Sequence, residues 1–174
     1  MRLFRRPRAR PFCRDVDGAA ALELAILAPV FGAVLIGIID VAFGFYVKIQ
    51  LTEAVSAGAQ YAYDEGNGVS QSQISGFLTN IGSAMRGATP LTLNGASVLF
   101  NNAADGTNAN QCYCLTPAAP VTWTAEACGS PCSATGPTAG KYVTISASYS
   151  FRPIIWTSYL QPGLLTDAVL IRVQ

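Results

Sequence analysis

Sixteen consecutive residues from Leu24 to Ile39, LAILAPVFGAVLIGII, carry no charge. As a helix rising about 1.5 Å per residue they cover roughly 24 Å, short of a hydrocarbon core of about 30 Å. Continuing through Asp40 to Val47 gives roughly 36 Å, enough to span a bilayer. Phe43, Phe45 and Tyr46 then stand where an aromatic belt forms, and Lys48 marks the exit. The next stretch, KIQLTEAVSAGAQYAY, keeps Ile49 or Leu51, Val55, Ala59 and Ala62 near helical spacing, so the helix is expected to continue beyond the bilayer. Asp64-Glu65-Gly66-Asn67-Gly68 predicts its break near Gly66. Ile74, Phe77, Leu78, Ile81 and Met85 recur at i, i+3, i+4, i+7 and i+11, which predicts a second, amphipathic helix capped by Ser70 or Ser72 and closed by Gly87.

The period then changes to two. From Lys141 to Phe151 the apolar residues Val143, Ile145, Ala147, Tyr149 and Phe151 alternate mostly with Ser and Thr, the signature of a half-buried strand. Residues 96–100 (ASVLF) and 168–173 (AVLIRV) read as further strands, and Asn94-Gly95 as a turn. Between 151 and 168 a loop is expected, carrying Trp156 and Tyr159 and containing Pro162-Gly163. The expected fold is α+β: a long N-terminal transmembrane helix continuing into a small domain with an antiparallel sheet. The expected divisions are a basic leader 1–18, a transmembrane helix 19–47, its extramembrane continuation 48–66, and an α+β domain 67–174 with a cysteine-stapled loop 101–140.

Charge sets the orientation. Six arginines precede residue 15, and against Asp15 and Asp17 they leave residues 1–18 at +4, while the rest of the chain carries five basic and eight acidic residues. A basic arm suits either nucleic acid or a membrane face; placed directly before an apolar run it argues for the membrane, with the N-terminus cytoplasmic and everything after Lys48 outside. No histidine occurs among the 174 residues, which removes the usual general base and the commonest metal ligand. No phosphate-binding glycine motif of the G-x-x-x-x-G-K-[ST] or G-x-G-x-x-G type is present. The sequence thus points away from an enzyme, and implies no cofactor and no nucleic-acid partner.

Three features within the apolar run bear on assembly. Pro29 removes a backbone donor. Ala28 with Gly32, and Ala33 with Gly37, form small-xxx-small pairs that let another helix approach closely. Glu23 and Asp40 are ionisable groups at its two ends, where each is either solvated at an interface or paired. Glu23 also suits a helix start, where the dipole favours an acid.

The junction Asp17-Gly18-Ala19-Ala20-Ala21-Leu22-Glu23 changes the weight of these features. A basic leader ending in glycine, with a glutamate five residues later, resembles the processing site of type IV prepilins, which a prepilin peptidase cuts after the glycine. The stretch from Gly18 to Tyr63 resembles the TadE-like family of the tight-adherence (Flp) pilus system. Gly18, Glu23, Pro29, Gly37, Asp40, Ala54, Gly58 and Ala59 match that family's pattern over about residues 14–65. One position departs: Leu24 stands where the family commonly carries an aromatic and the major pilin a tyrosine, which with the chain's length argues against the major subunit. The resemblance implies a pilin-like plan and a minor pilin or pseudopilin cleaved after Gly18 and held in the bacterial inner membrane. Its domain would be periplasmic or carried into the pilus, and its partners other pilins, inner-membrane pilus assembly proteins, the peptidase and the lipid bilayer. Cleavage would free an α-amino group on Ala19, little more than one turn from Glu23, and an ion pair there would offset the cost of holding Glu23 near lipid. The alternatives are an uncleaved single-pass protein with a disulfide-stapled ligand-binding or scaffold domain, and an exported enzyme. A secretory signal cut near Ala57-Gly58-Ala59 fits poorly, since that site lies too far from the apolar run.

Cys13 lies in the leader, while Cys112, Cys114, Cys128 and Cys132 cluster within 21 residues. An even count in an oxidising compartment suggests two disulfides. Pairing neighbours would close tiny loops of poor geometry, so a crossing or a nested pairing is expected. A four-thiolate zinc site competes, but C-x-C and C-x₃-C depart from the common C-x₂-C. The Asn-rich run Asn101 to Asn110 offers oxygen ligands for calcium with a single carboxylate, Asp105, and reads more readily as a surface turn.

Overall fold

The computed structural model describes residues 17–116, 118, 120–153 and 162–174. The first element, α1 (Asp17–Glu65), is a single helix of 49 residues with Pro29 inside it. At about 1.5 Å per residue it is roughly 70 Å long, more than twice a hydrocarbon core. Its two halves differ in pattern. The first is apolar all round, whereas the second carries a buried stripe, Val47, Leu51, Ala54, Val55 and Ala62, at the three- and four-residue spacing that one helix face provides. The helix ends at Glu65, and Gly68, at φ +81°, turns the chain back.

A short 3₁₀ turn (Gln71–Gln73) leads into α2 (Ile74–Gly87). Ser70 stands as the N-cap of this turn rather than of α2, whose own N-cap is Gln73 and makes no side-chain cap bond; the Gln73 side chain accepts from the backbone N–H of Ser70. α2 buries Ile74, Phe77, Ile81 and Met85, the residues picked out by their spacing. β1 (Gly95–Phe100), β4 (Tyr142–Phe151) and β5 (Gly163–Arg172) form an antiparallel sheet in the order β1-β4-β5. Val98, Ile145 and Val169 stand level across it, as do Phe100, Val143 and Ile171. Alternation along β4 puts Val143, Ile145 and Ala147 inward, where they meet α1 and α2. The helices cross so closely that a methyl group at Gly58 would stand 2.7 Å from Met85 Cγ and 3.3 Å from Ile81 Cγ2.

Three expectations change. Asn94-Gly95 is no hairpin turn: Gly95 opens β1, and Asn94 is tied to β4, donating its N–H to Ser148 O and accepting from Ser150 N. β5 begins at Gly163 rather than 168, because its first residues continue the ladder with Phe151, Ser150 and Tyr149. The region 101–140 is not simply a loop: β2 (Cys112–Thr116) and β3 (Thr122–Glu126) pair there as a separate two-stranded ribbon. Trp156, Tyr159, Cys13 and the arginines of the leader lie outside the described residues.

The asparagine run serves structure. Asn101 is fully buried in the left-handed region at φ 49°. Its amide donates to Asn108 O and Gln111 O, and its Oδ1 accepts from Tyr142 N. One side chain thereby ties the turn after β1 to the start of β4. Asn101→Ala removes three hydrogen bonds and puts alanine where asparagine is tolerated, so it is expected to destabilise the domain by about 2–4 kcal/mol in urea unfolding of the full chain in detergent.

Candidate functional site

The site to be explained is α1 itself, where it leaves the domain. From Ala19 to Ile39 every residue is exposed or only partly covered, and only 6% of the most apolar 18-residue window is buried inside the protein. Eleven large apolar side chains between Leu22 and Val41 are exposed. Leaving such residues in water costs about 1.5–3 kcal/mol each, on the order of 20 kcal/mol together, more than the 5–15 kcal/mol that typically holds a domain folded. A free aqueous helix is ruled out on that scale, and the segment fits a single-pass membrane helix.

The structure distributes the expected residues around this rod. Gly18 and Ala19 lie in its first turn, and Glu23 is exposed one turn on. At about 100° per residue, the stripe that faces the domain continues downward through Asp40 to Gly37 and Ala33. Ala28 and Gly32 sit about 80–120° around from it, so the two small pairs face different directions. A methyl group at Gly32 would meet nothing within 4 Å, whereas one at Gly44 would touch the ring of Phe151 at 3.6 Å. Gly44 thus faces a neighbour within the chain at ordinary contact distance, and Gly32 faces open space.

Asp40 is not the solvated interfacial acid that was one of its two expected settings. It is fully buried and not left without a partner. Around it the helix meets the end of the sheet: Phe43 packs against Phe151 with ring centroids 5.8 Å apart. About two turns above Asp40, Lys48 Nζ donates to Thr166 O at 2.7 Å and to Asp167 Oδ1 at 2.9 Å. Neither partner was legible in the sequence, because 118 positions separate Lys48 from Thr166.

The four cysteines come together as Cys112–Cys128 and Cys114–Cys132, the crossing arrangement, with Cα separations of 5.0 and 5.5 Å. Cys112 and Cys114 are two apart on β2 and so share a face, which directs both to the segment after β3. Loops of 16 and 18 residues correspond to about 3 kcal/mol each by chain entropy. Trp123 stands edge-on to Tyr113 and Tyr142, at 5.6 and 6.1 Å between centroids, bridging ribbon and sheet. No cluster of metal-binding side chains occurs among the described residues.

Residues 18–60, about a quarter of the chain, match the family model described as TadE-like protein. That part of the chain is therefore TadE-like. The matched segment is the apolar rod and its continuation as far as the crossing with α2. No curated protein and no solved structure matches the chain.

The carboxyl of Asp167 is drawn two ways. Partial burial raises its pKa, but hydrogen bonds from Lys48 and Thr52, the charge of Lys48 and the backbone of Ala168 together outweigh it, and the net shift is below the ordinary 3.8. A depressed carboxylate contributes stability above its unfolded pKa and loses it as pH falls through the folded value, here below about 3.8. The pair is half exposed, so its share is below about 1 kcal/mol. Acidification through that window is expected to lower the urea midpoint more for the unaltered chain than for Asp167→Asn, which has nothing left to titrate there.

Proposed function

We propose that the protein is a structural component of a tight-adherence (Flp) pilus machine, a minor pilin or pseudopilin. It is cleaved after Gly18 by a prepilin peptidase and anchored in the bacterial inner membrane by residues 19–47. Its N-terminus is cytoplasmic and its domain, residues 67–174, periplasmic. The observation that carries this reading is a coincidence on one helix: the TadE-like match begins at Gly18, and the same segment is the bare apolar half of α1. TadE-like proteins are pilus-associated and structural, in keeping with a chain that lacks histidine.

In this role the rod works by lateral packing. Cleavage frees the amine of Ala19, and Glu23 pairs with that amine on its own chain or on a neighbour. An unpaired carboxylate there opposes insertion, so the pair rewards one register of helix packing. Gly32, with open space before it, lets a second helix come close. The partners are accordingly other pilins or pseudopilins and the inner-membrane assembly proteins.

Two experiments test this. N-terminal sequencing of the mature chain is expected to start at Ala19, with Gly18→Leu retaining the leader; a leader kept in cells that assemble working pili would sink the processing step. Removing the charge with Glu23→Leu makes the span more apolar and should leave membrane level unchanged. Helix–helix crosslinking, normalised to that level, should fall severalfold and pili become sparse. Crosslinking equal to that of the unaltered chain would return Glu23 to the role of a helix-start acid.

A further inference from the structure

The sheet is not held clear of the membrane half of α1. Strands β4 and β5 run alongside the helix: Val173 adjoins Gly66 at the far end, Ile145 adjoins Gly58 in the middle, and Phe151 adjoins Phe43 and Gly44 at the near end. The domain therefore begins to cover the helix at Asp40. Below that point the bare segment from Ala19 to Ile39 is about 31 Å long, the thickness of a hydrocarbon core of about 30 Å with almost nothing to spare. No length of helix remains to lift the sheet away from the bilayer surface.

The near end of the sheet has the surface that such a position requires. Phe45 and Leu164 are 68% and 61% exposed, and Tyr46 and Val41 are also exposed. Beside them lies a groove of about 350 Å³ formed by Asp40, Val41, Gly44, Phe45, Lys48, Phe151 and Leu165, whose exposed surface is almost entirely carbon. The exposed face of α1 turns polar just above, at Thr52, Glu53, Ser56 and Gln60. Aromatic rings with a lysine at one level, apolar below and polar above, are the profile of a membrane–water interface.

We infer that the β4–β5 end of the sheet, with Phe45, Tyr46, Phe151 and Leu164, is seated in the interfacial layer of the outer leaflet, and that phospholipid chains fill the groove beside Phe151. The occupant is lipid because the groove continues the bare face of the apolar rod without interruption. The inference rests on α1 spanning a bilayer, and it moves the outer boundary of the hydrocarbon from Val47 down to about Asp40.

Nitroxide labels read the depth. In the full chain carrying Cys13→Ser, with the other four cysteines oxidised, single cysteines at Phe31, Leu164 and Val121 report the bare helix, the sheet end and the distal ribbon. The chains are placed in vesicles of phosphatidylethanolamine and phosphatidylglycerol, diluted so that copies do not meet, and collisions with oxygen and with a water-soluble nickel chelate are compared. Leu164→Cys is expected to resemble Phe31→Cys, with oxygen collisions severalfold above those at Val121→Cys and nickel collisions severalfold below. Phe45→Cys, exposed at the same height, replaces it if that chain does not fold. Lipid contact at Phe31 with an aqueous signal at Leu164 overturns the seating and leaves the membrane helix standing. An aqueous signal at Phe31 overturns both. Exclusion of both quenchers at Leu164 shows protein in the groove, a second copy for instance, and likewise overturns the inference.

Discussion

One helix must satisfy two solvents, and the remaining structure follows from how it does so. Where α1 is wrapped in lipid it can be apolar on all sides, since no face has to distinguish inside from outside. Where it emerges, the same backbone must offer one narrow stripe to a sheet and a polar surface to water. The change is made without a joint: Asp40, Val47, Leu51, Gly58 and Ala62 carry a single azimuth from one environment into the other. Because the rod is continuous, the direction in which the domain hangs fixes the rotational setting of everything below it. Glu23, Gly32 and Gly37 therefore have defined bearings relative to the sheet.

Close approach, more than large side chains, sets the upper half. Gly58 and Gly44 bring α1 within contact of Met85, Ile145 and Phe151, and Gly66 lets Val173 sit against the helix end. A larger residue at 58 would gain up to about 1 kcal/mol in helix propensity but incur about 1–3 kcal/mol of overpacking, so tight packing wins. The Lys48–Asp167 pair adds placement more than stability, for half-exposed pairs contribute little. It puts a charge in the middle of β5 where a strand would otherwise avoid one.

Residues with a strong period were legible from sequence alone. The break near Gly66, α2 with its buried Ile74, Phe77, Ile81 and Met85, and the inward row of β4 all follow from spacing. The ribbon was not legible, although β3 (TWTAE) does alternate polar with apolar residues: it is only five residues long and largely exposed, and two disulfides from β2 to the segment after β3 help to hold it. The lower half of β5 was hidden by Gly163 and Asp167, whose acceptability depends on Phe151 and Lys48 from distant parts of the chain. Asn101 looked like a surface turn residue because nothing local reveals that Tyr142 will receive its side chain. At the candidate site, spacing singled out Glu23 and both small pairs as candidates. Only the packed structure separates Gly44, which faces the ring of Phe151, from Gly32, which faces open space.

The side-by-side course of β4 and α1 also has a mechanical meaning. A pull on the ribbon reaches the sheet through the bridge between Tyr113 and Gly140, and then runs down β4 towards Phe151. Since that strand lies along the helix, the load meets the interface in shear. Contacts from Val173 to Phe43 then resist together instead of opening one at a time. With no hinge between the halves of α1, the same tension passes undiminished into the apolar rod. The domain is thus coupled to its anchor as a stiff lever is to its shaft, and the distal crosslinks stop the lever's tip from unravelling before the shaft takes the strain.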